Sequence, residues 1–172
     1  KRFDRDGEQR IHFSSAMTVL GKKDGANAAD GSSYLEIVSF LKADGARPKR
    51  DLEELWKRIV FSMAVSNTDD HFRNHGFILS HDGWKLSPLY DVNPDIYGEY
   101  LSLNVDADDS SIDFELAVQA APYYGIEKKY AVQEVDKIKN VVGDNWKQLA
   151  KKYGISRGEI ERMSPAFWEC DK

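Results

Sequence analysis

The amino-acid sequence predicts a mainly α fold with a small β-hairpin, an α+β domain. Three observations carry this expectation. Leu52, Leu55, Trp56, Ile59, Val60 and Met63 recur with the spacing of one buried helix face. The run GFILS is followed by HDG and then WKLSPL, two short apolar stretches around Asp-Gly turn chemistry. The last third of the chain carries helical periodicity punctuated by glycines.

The elements follow in order. Arg10 to Ser15, RIHFSS, is too short to assign. Ser15 to Leu20 reads as a helical turn ended by Gly21. The polar stretch from Lys22 to Ser33 reads as a loop. A helix is expected from Tyr34 to Lys42, with Leu35, Val38 and Leu41 on one face, stopped by Asp44-Gly45. The next helix takes Asp51 as its cap, with Glu54 reaching back, and ends near Ser66. After the hairpin, Leu101, Leu103 and Val105 alternate and predict a strand over 100–105. Ser110 with Asp113, or Ser111, caps a helix running to Tyr124 and stopped by Gly125. Tyr130, Val135, Ile138 and Val142 mark another helix. Trp146, Leu149 and Tyr153 mark a further one closed by Gly154, and Ser156 with Glu159 caps the last. The four tryptophans read as core or half-buried packing groups.

A chain of 172 residues fits one domain. Lys plus Arg is 24 against 29 Asp plus Glu, and the net charge of −5 argues against nucleic-acid binding through overall field. The single cysteine, Cys170, excludes an internal disulfide and a Cys-based zinc cage, and fits a reducing, cytoplasmic setting. No apolar run approaches the roughly 20 residues that span a bilayer. The N-terminal KRFDRDG lacks the apolar segment of a secretion signal. It also lacks a starting Met, and the reading is of a piece of a longer protein.

The chemistry concentrates in NTDDHFRN, Asn67 to Asn74. His71, His75 and His81 fall within eleven residues. One reading is a solvated connector rich in self-bonding Asp and Asn. A second is a zinc hydrolase using His71 and His75 four apart, but Phe, Arg and Asn stand between them, with no Glu as base. A third is phosphoryl transfer, which needs a carboxylate base, hard oxygen ligands for Mg²⁺ and a cation near the phosphate. Protein kinases place Asn five residues after the base Asp, and a second metal-binding Asp past a hairpin. Asp69, Asn74 and Asp91 reproduce that order. Asn67-Thr68-Asp69 stands where kinases have His-Arg-Asp. Asp91-Val92-Asn93 stands where they have Asp-Phe-Gly, with Asn93 the residue expected to tolerate a left-handed backbone. His71 and Arg73 are the cations placed to meet phosphate oxygens.

With these motifs, RFDR at Arg2 to Arg5, RIHFSS with the Leu20-Gly21 turn, NTDDHFRN, SPLYDVNP and the helical tail, the chain resembles the C-terminal part of the HipA family. These are the serine/threonine kinase toxins of bacterial toxin–antitoxin pairs. The resemblance covers essentially the whole chain and implies the larger lobe of a protein-kinase-like fold. It implies Asp69 as catalytic base and Asn74 and Asp91 as Mg²⁺ ligands. His71, Arg73 and Tyr90 would lie against ATP. Residues 1–5 would form the hinge strand, with the backbone near Arg2 and Phe3 meeting adenine. The implied partners are ATP, a protein substrate of the aminoacyl-tRNA synthetase kind and a DNA-binding antitoxin, with no membrane and no direct nucleic-acid contact. Asp70 departs from the glycine expected there, and a second carboxylate beside the base would hinder phosphate approach. No phosphate-cradling glycine loop is present. The resemblance therefore places the nucleotide lobe upstream, and the 172 residues alone are expected to bind ATP weakly and transfer no phosphate at a useful rate.

Two rivals accompany this reading. Small-molecule kinases of the aminoglycoside and choline type share a base-x-His loop, and Asp106, Asp108, Asp109 and Asp113 would then form an acidic acceptor pocket. Residues 147–163 resemble a DNA-reading helix-turn-helix, although Glu159 and Glu161 would face phosphates.

Overall fold

The computed structural model describes residues 2–170, apart from the side chain of Glu169. The chain opens with a small hairpin, β1 (Arg5–Asp6) against β2 (Gln9–Arg10), turned through Gly7. Of the expected hinge strand over residues 1–5, only Arg5 is in a strand, and Lys1 lies outside the described residues. β3 (Phe13–Ser15) leads into the short helix α1 (Ala16–Val19), capped by the Ser15 hydroxyl, which accepts the Thr18 N–H at 3.3 Å. A 3₁₀ turn (Ala28–Asp30) lies within the expected loop.

Helix α2 (Tyr34–Asp44) begins at a Ser33–Glu36 capping box. Helix α3 (Pro48–Ala64) is the centre of the molecule. Its Leu55, Trp56, Ile59, Val60 and Met63 are completely buried. Each side chain so buried contributes roughly 1.5–3 kcal/mol. The helix starts three residues before the expected cap, because Pro48 occupies its first position, where a missing N–H costs nothing. Asp51 is therefore not a cap. It is buried, takes the Leu86 N–H at 3.0 Å and the Arg47 Nε at 3.0 Å, and so ties α3 to the sheet.

The hairpin is β4 (Gly76–Ser80) with β5 (Gly83–Leu86). β3 joins it on the far side, giving an antiparallel sheet in the order β3-β4-β5, with Phe13 opposite Ile78 and Phe77 opposite Leu86. The expected strand over 100–105 does not form. Leu101, Leu103 and Val105 are buried as the alternation implies, but their flanking N–H groups bond loop carbonyls: Leu101 to Ser110, Asn104 to Ser32 and Val105 to Asp109.

The C-terminal part is helical. Asp113 itself caps α4 (Phe114–Ala120), accepting the Glu115 N–H at 2.8 Å, and a 3₁₀ turn (Ala121–Tyr124) leads to Gly125 at φ 74°. The two helices expected next are one, α5 (Lys128–Lys152), running straight through Gly143. Ser156 and Glu159 form the expected capping box of α6 (Arg157–Met163), and a final 3₁₀ segment covers Ser164–Cys170. The main core joins α2, α3, α4 and the sheet. A second cluster around Trp146 and Phe167, stacked at 4.1 Å, packs α5 and the C-terminal turns on the end of α3. Trp56 and Trp146 are buried, whereas Trp168 is 60% exposed, against expectation. Among the described residues no helix is long and apolar enough to cross a membrane.

Candidate active site

The loop that holds the chemistry hangs from the end of α3. Ser66, at φ 49°, turns the chain out of the helix, and the Asn67 N–H reaches back to the Ser62 carbonyl at 2.8 Å. Two tight turns follow, with the His71 N–H on the Asp69 carbonyl at 3.1 Å and the Asn74 N–H on the His71 carbonyl at 2.9 Å. β3 and β4 close the far side, where the Ala16 N–H meets the His75 carbonyl at 2.8 Å. The result sends neighbouring side chains in opposite directions. The Asp69 side chain is 85% exposed. Asp70, next to it, is buried.

Asp91 approaches from the segment after β5. The Asn74 Nδ2 donates to the Asp91 carbonyl and to its Oδ2, both at 3.1 Å. The Asn93 Nδ2 donates to Asp91 Oδ1 at 2.9 Å, and the Asn93 N–H bonds Asn67 Oδ1 at 3.1 Å. Two residues 17 apart in sequence are thus joined side chain to side chain. The left-handed residue of this segment is Asp91, at φ 57°, and not Asn93. Such a backbone on a non-glycine residue is uncommon and clusters at functional sites. The Asn74 Oδ1 is buried with no hydrogen-bond partner among the described residues.

Asp69, His71 and Arg73 line one cleft of about 420 Å³, whose other wall is the loop around Lys23, Asp24 and Asn27. The Arg73 guanidinium pairs with Asp24 through Nη1 and lies 2.9 Å from His71 Nε2 through Nη2. Arginine can only donate, so His71 presents its Nε2 lone pair. That nitrogen is 3.8 Å from Asp69 Oδ1. Tyr90 donates to the Arg73 carbonyl at 2.7 Å. Its ring stacks on Phe3 at 5.9 Å and meets Phe13 edge-on at 6.3 Å. A side chain at Gly76 would collide with the Phe13 ring at 2.2 Å, so only glycine lets this aromatic group close over the start of β4. Burial first, then the Asp91 carboxylate, push the Tyr90 phenol up to about 12, so it remains a donor at neutral pH. Arg2 forms a forked pair with Asp4, at 2.8 Å and 2.5 Å, on the exposed rim.

Asp70 does not stand beside the base as a second free carboxylate. Its Oδ2 accepts the Tyr34 hydroxyl at 2.8 Å and the Ser62 hydroxyl at 3.3 Å, and its Oδ1 is 3.0 Å from His75 Nε2. His75 is completely buried, behind the loop. Burial alone would raise the Asp70 carboxyl. The His75 ring beside it and the hydrogen bonds from Tyr34 and Ser62 outweigh burial and hold it below the usual carboxylate range. Burial and the neighbouring Asp70 push the Tyr34 phenol far up, which keeps it a donor.

The rival readings find little here. His71 and His75 lie on opposite sides of the loop, and among the described residues no group of three His, Cys, Asp or Glu is gathered to hold a metal. The acids near 106–113 bond backbone: Asp106 takes the Asp108 and Asp109 N–H groups, Asp109 takes Ser111, and Asp113 caps α4. In the rival helix-turn-helix segment, α6 has seven residues, Arg157 is paired to Glu161 at 2.9 Å, and Glu159 is held in the capping box.

Some site residues were not foreseen. Asn67 bridges α3, the loop and Asn93, yet in sequence it is only one Asn in a polar run. Asp24 and Tyr34 come from distant loop and helix positions with no local signal.

The family model of the HipA-like C-terminal domain matches residues 1–163. The chain belongs to the HipA-like C-terminal domain family. Y4mE of Sinorhizobium fredii, provisionally named a kinase, is 27% identical over 162 residues, 92% of this chain and 33% of that protein. The serine/threonine-protein kinase toxin HipA of Shewanella oneidensis is 29% identical over 119 residues, 58% of this chain and 28% of that protein. In solved structures, a chain of the Shewanella oneidensis complex of HipA, HipB and operator DNA superposes with a TM-score of 0.79 at 17% identity. The match covers 99% of this chain and 47% of that one. The fold is therefore the HipA fold, and the chain spans a third or less of the curated relatives it matches.

Proposed function

We propose that this HipA-like domain is the larger lobe of a serine/threonine kinase that transfers phosphate from ATP to a protein hydroxyl. The observation that carries the reading is the Asn74–Asp91 contact at 3.1 Å, in a loop whose exposed Asp69 lines a cleft with His71 and Arg73. Asp69 would take the proton of the attacking hydroxyl. Its exposure suits an acceptor that arrives from outside.

Asn74 and Asp91 would hold Mg²⁺. The fit is chemical: both supply hard oxygens, and the buried Asn74 Oδ1 has no other partner among the described residues. A protein share of only one or two oxygen side chains suits Mg²⁺, which keeps waters and phosphate oxygens for the rest. When bound, the ion supplies charge neutralisation on the phosphate oxygens. His71 and Arg73 would face the phosphates. Because Asp24 already pairs with Arg73, phosphate would compete with that carboxylate for the guanidinium. Phe3 and Tyr90 would offer an aromatic wall to adenine, with Arg2 at its rim. Family likeness extends the proposal to a toxin role, an antitoxin partner and an aminoacyl-tRNA synthetase as acceptor.

The test uses the full gene product. Nucleotide binding is expected to require Mg²⁺, and Asp91→Ala is expected to weaken it about 10²-fold, the few kcal/mol that divalent charge offset supplies. EDTA should bring the unsubstituted protein to the same level. Titration calorimetry reads both. Equal Mg²⁺-dependent affinity in the two proteins would remove the metal assignment.

A further inference from the structure

The buried group behind the loop is absorbed neither by the proposed chemistry nor by the family likeness. Asp70 directly follows the proposed base, and His75 directly follows the proposed metal ligand Asn74. Their side chains leave the cleft and meet each other at 3.0 Å inside the protein. The six residues from Asp70 to His75 therefore form a closed ring, with its ends joined by this contact. The ring is pinned from two helices, by Tyr34 at the start of α2 and by Ser62 on α3. The Tyr34 ring also stands edge-on to His75 at 5.5 Å.

A buried acid–imidazole group of this kind is weak evidence of stability, because desolvation offsets much of the attraction. What it does supply is position. Its oxygens admit few arrangements that accept from Tyr34 and Ser62 while keeping the 3.0 Å contact with His75, and each such arrangement restricts where the backbone of residues 69 and 74 sits. We propose that Asp70 and His75 are positioning residues, a buried clasp that sets the distance between the exposed base Asp69 and the Asn74–Asp91 contact. This rests on the kinase reading and adds to it a second layer of side chains. Phosphoryl transfer depends almost wholly on placement, and a displacement of about 1 Å costs about 10²-fold in rate.

The test is again made on the full gene product, by steady-state kinetics and by hydrogen exchange. Asp70→Ala is expected to lower kcat about 10²-fold with the KM for ATP changed less than about threefold. Amides from His71 to Asn74 should exchange at least about tenfold faster while those of α3 stay protected. Asp70→Asn still accepts from Tyr34 and offers His75 a hydrogen-bonding group, so it should recover most of kcat. His75→Gln should likewise exceed His75→Ala. A merely structural role would move melting temperature and all parameters together, without these recoveries. If Asp70→Ala does not fold, Tyr34→Phe keeps the ring and removes one hydroxyl, and should lower kcat several-fold with faster loop exchange. Unchanged kcat and exchange in Asp70→Ala or Tyr34→Phe, with activity lost in Asp69→Ala, would overturn the clasp and leave the kinase reading standing. Full transfer in Asp69→Ala would remove Asp69 as the base and the clasp with it, and absence of transfer by the parent protein would remove the kinase reading.

Discussion

Asp69→Ala is expected to reduce phosphoryl transfer by the full gene product by about 10²- to 10⁴-fold, the range a positioned general base supplies. The fold should not notice. The carboxylate is 85% exposed, and the bond that shapes the turn is from the His71 N–H to the Asp69 carbonyl, which alanine keeps. Melting temperature should therefore stay within a degree or two of the parent. Nucleotide binding should also persist, since the Asn74–Asp91 contact is untouched. Transfer of radiolabelled phosphate to protein acceptors in cell lysate reads the loss. A variant that retains parental transfer would show that another group takes the proton.

The largest effect on stability is expected at Trp56. Its side chain is completely buried, and its indole N–H donates to the Ala117 carbonyl at 2.8 Å, linking α3 to α4. Trp56→Ala opens a large cavity and strands that carbonyl, a cost of about 3–5 kcal/mol. Folded domains hold only about 5–15 kcal/mol in total, so the variant should sit near or beyond its unfolding midpoint at 37 °C. Trp56→Phe fills much of the space and should lose distinctly less. Urea unfolding followed by circular dichroism separates the two. A loss below about 1 kcal/mol in Trp56→Ala would contradict the central place given to α3.

Elements whose signal is local were legible in the sequence. α3 showed its buried face in six apolar positions, and the hairpin announced itself through Asp82-Gly83. Elements defined by distant partners were not. β3 has three residues, and its partner strand lies some 60 positions on. The 100–105 segment has the alternation of a strand but finds loop carbonyls, rather than a neighbouring strand, for its N–H groups. The periodicity after Gly125 divided into two helices, one ending at Val142 and one from Trp146, where the structure has one. Gly143 lies inside that helix, where an added Cβ would make ordinary contact, 3.4 Å from the Cys170 carbonyl. At the site, the spacing of Asp69, Asn74 and Asp91 was readable because it is a sequence property. The inward turn of Asp70 was not, because Tyr34 and Ser62, which hold it, lie 36 and 8 residues away.

The left-handed backbone of Asp91 carries a consequence for how such a domain can vary. An L-residue held there costs on the order of 1 kcal/mol, and glycine would escape that cost. Random change at this codon therefore meets opposed pressures under the proposed function: relaxation of the chain favours the smallest residue, while the proposed Mg²⁺ site requires a carboxylate. A lineage released from the need to catalyse would be free to settle on glycine and gain robustness by doing so. If the proposed metal role holds, retention of the acid would be the mark by which a working copy is told from a retired one.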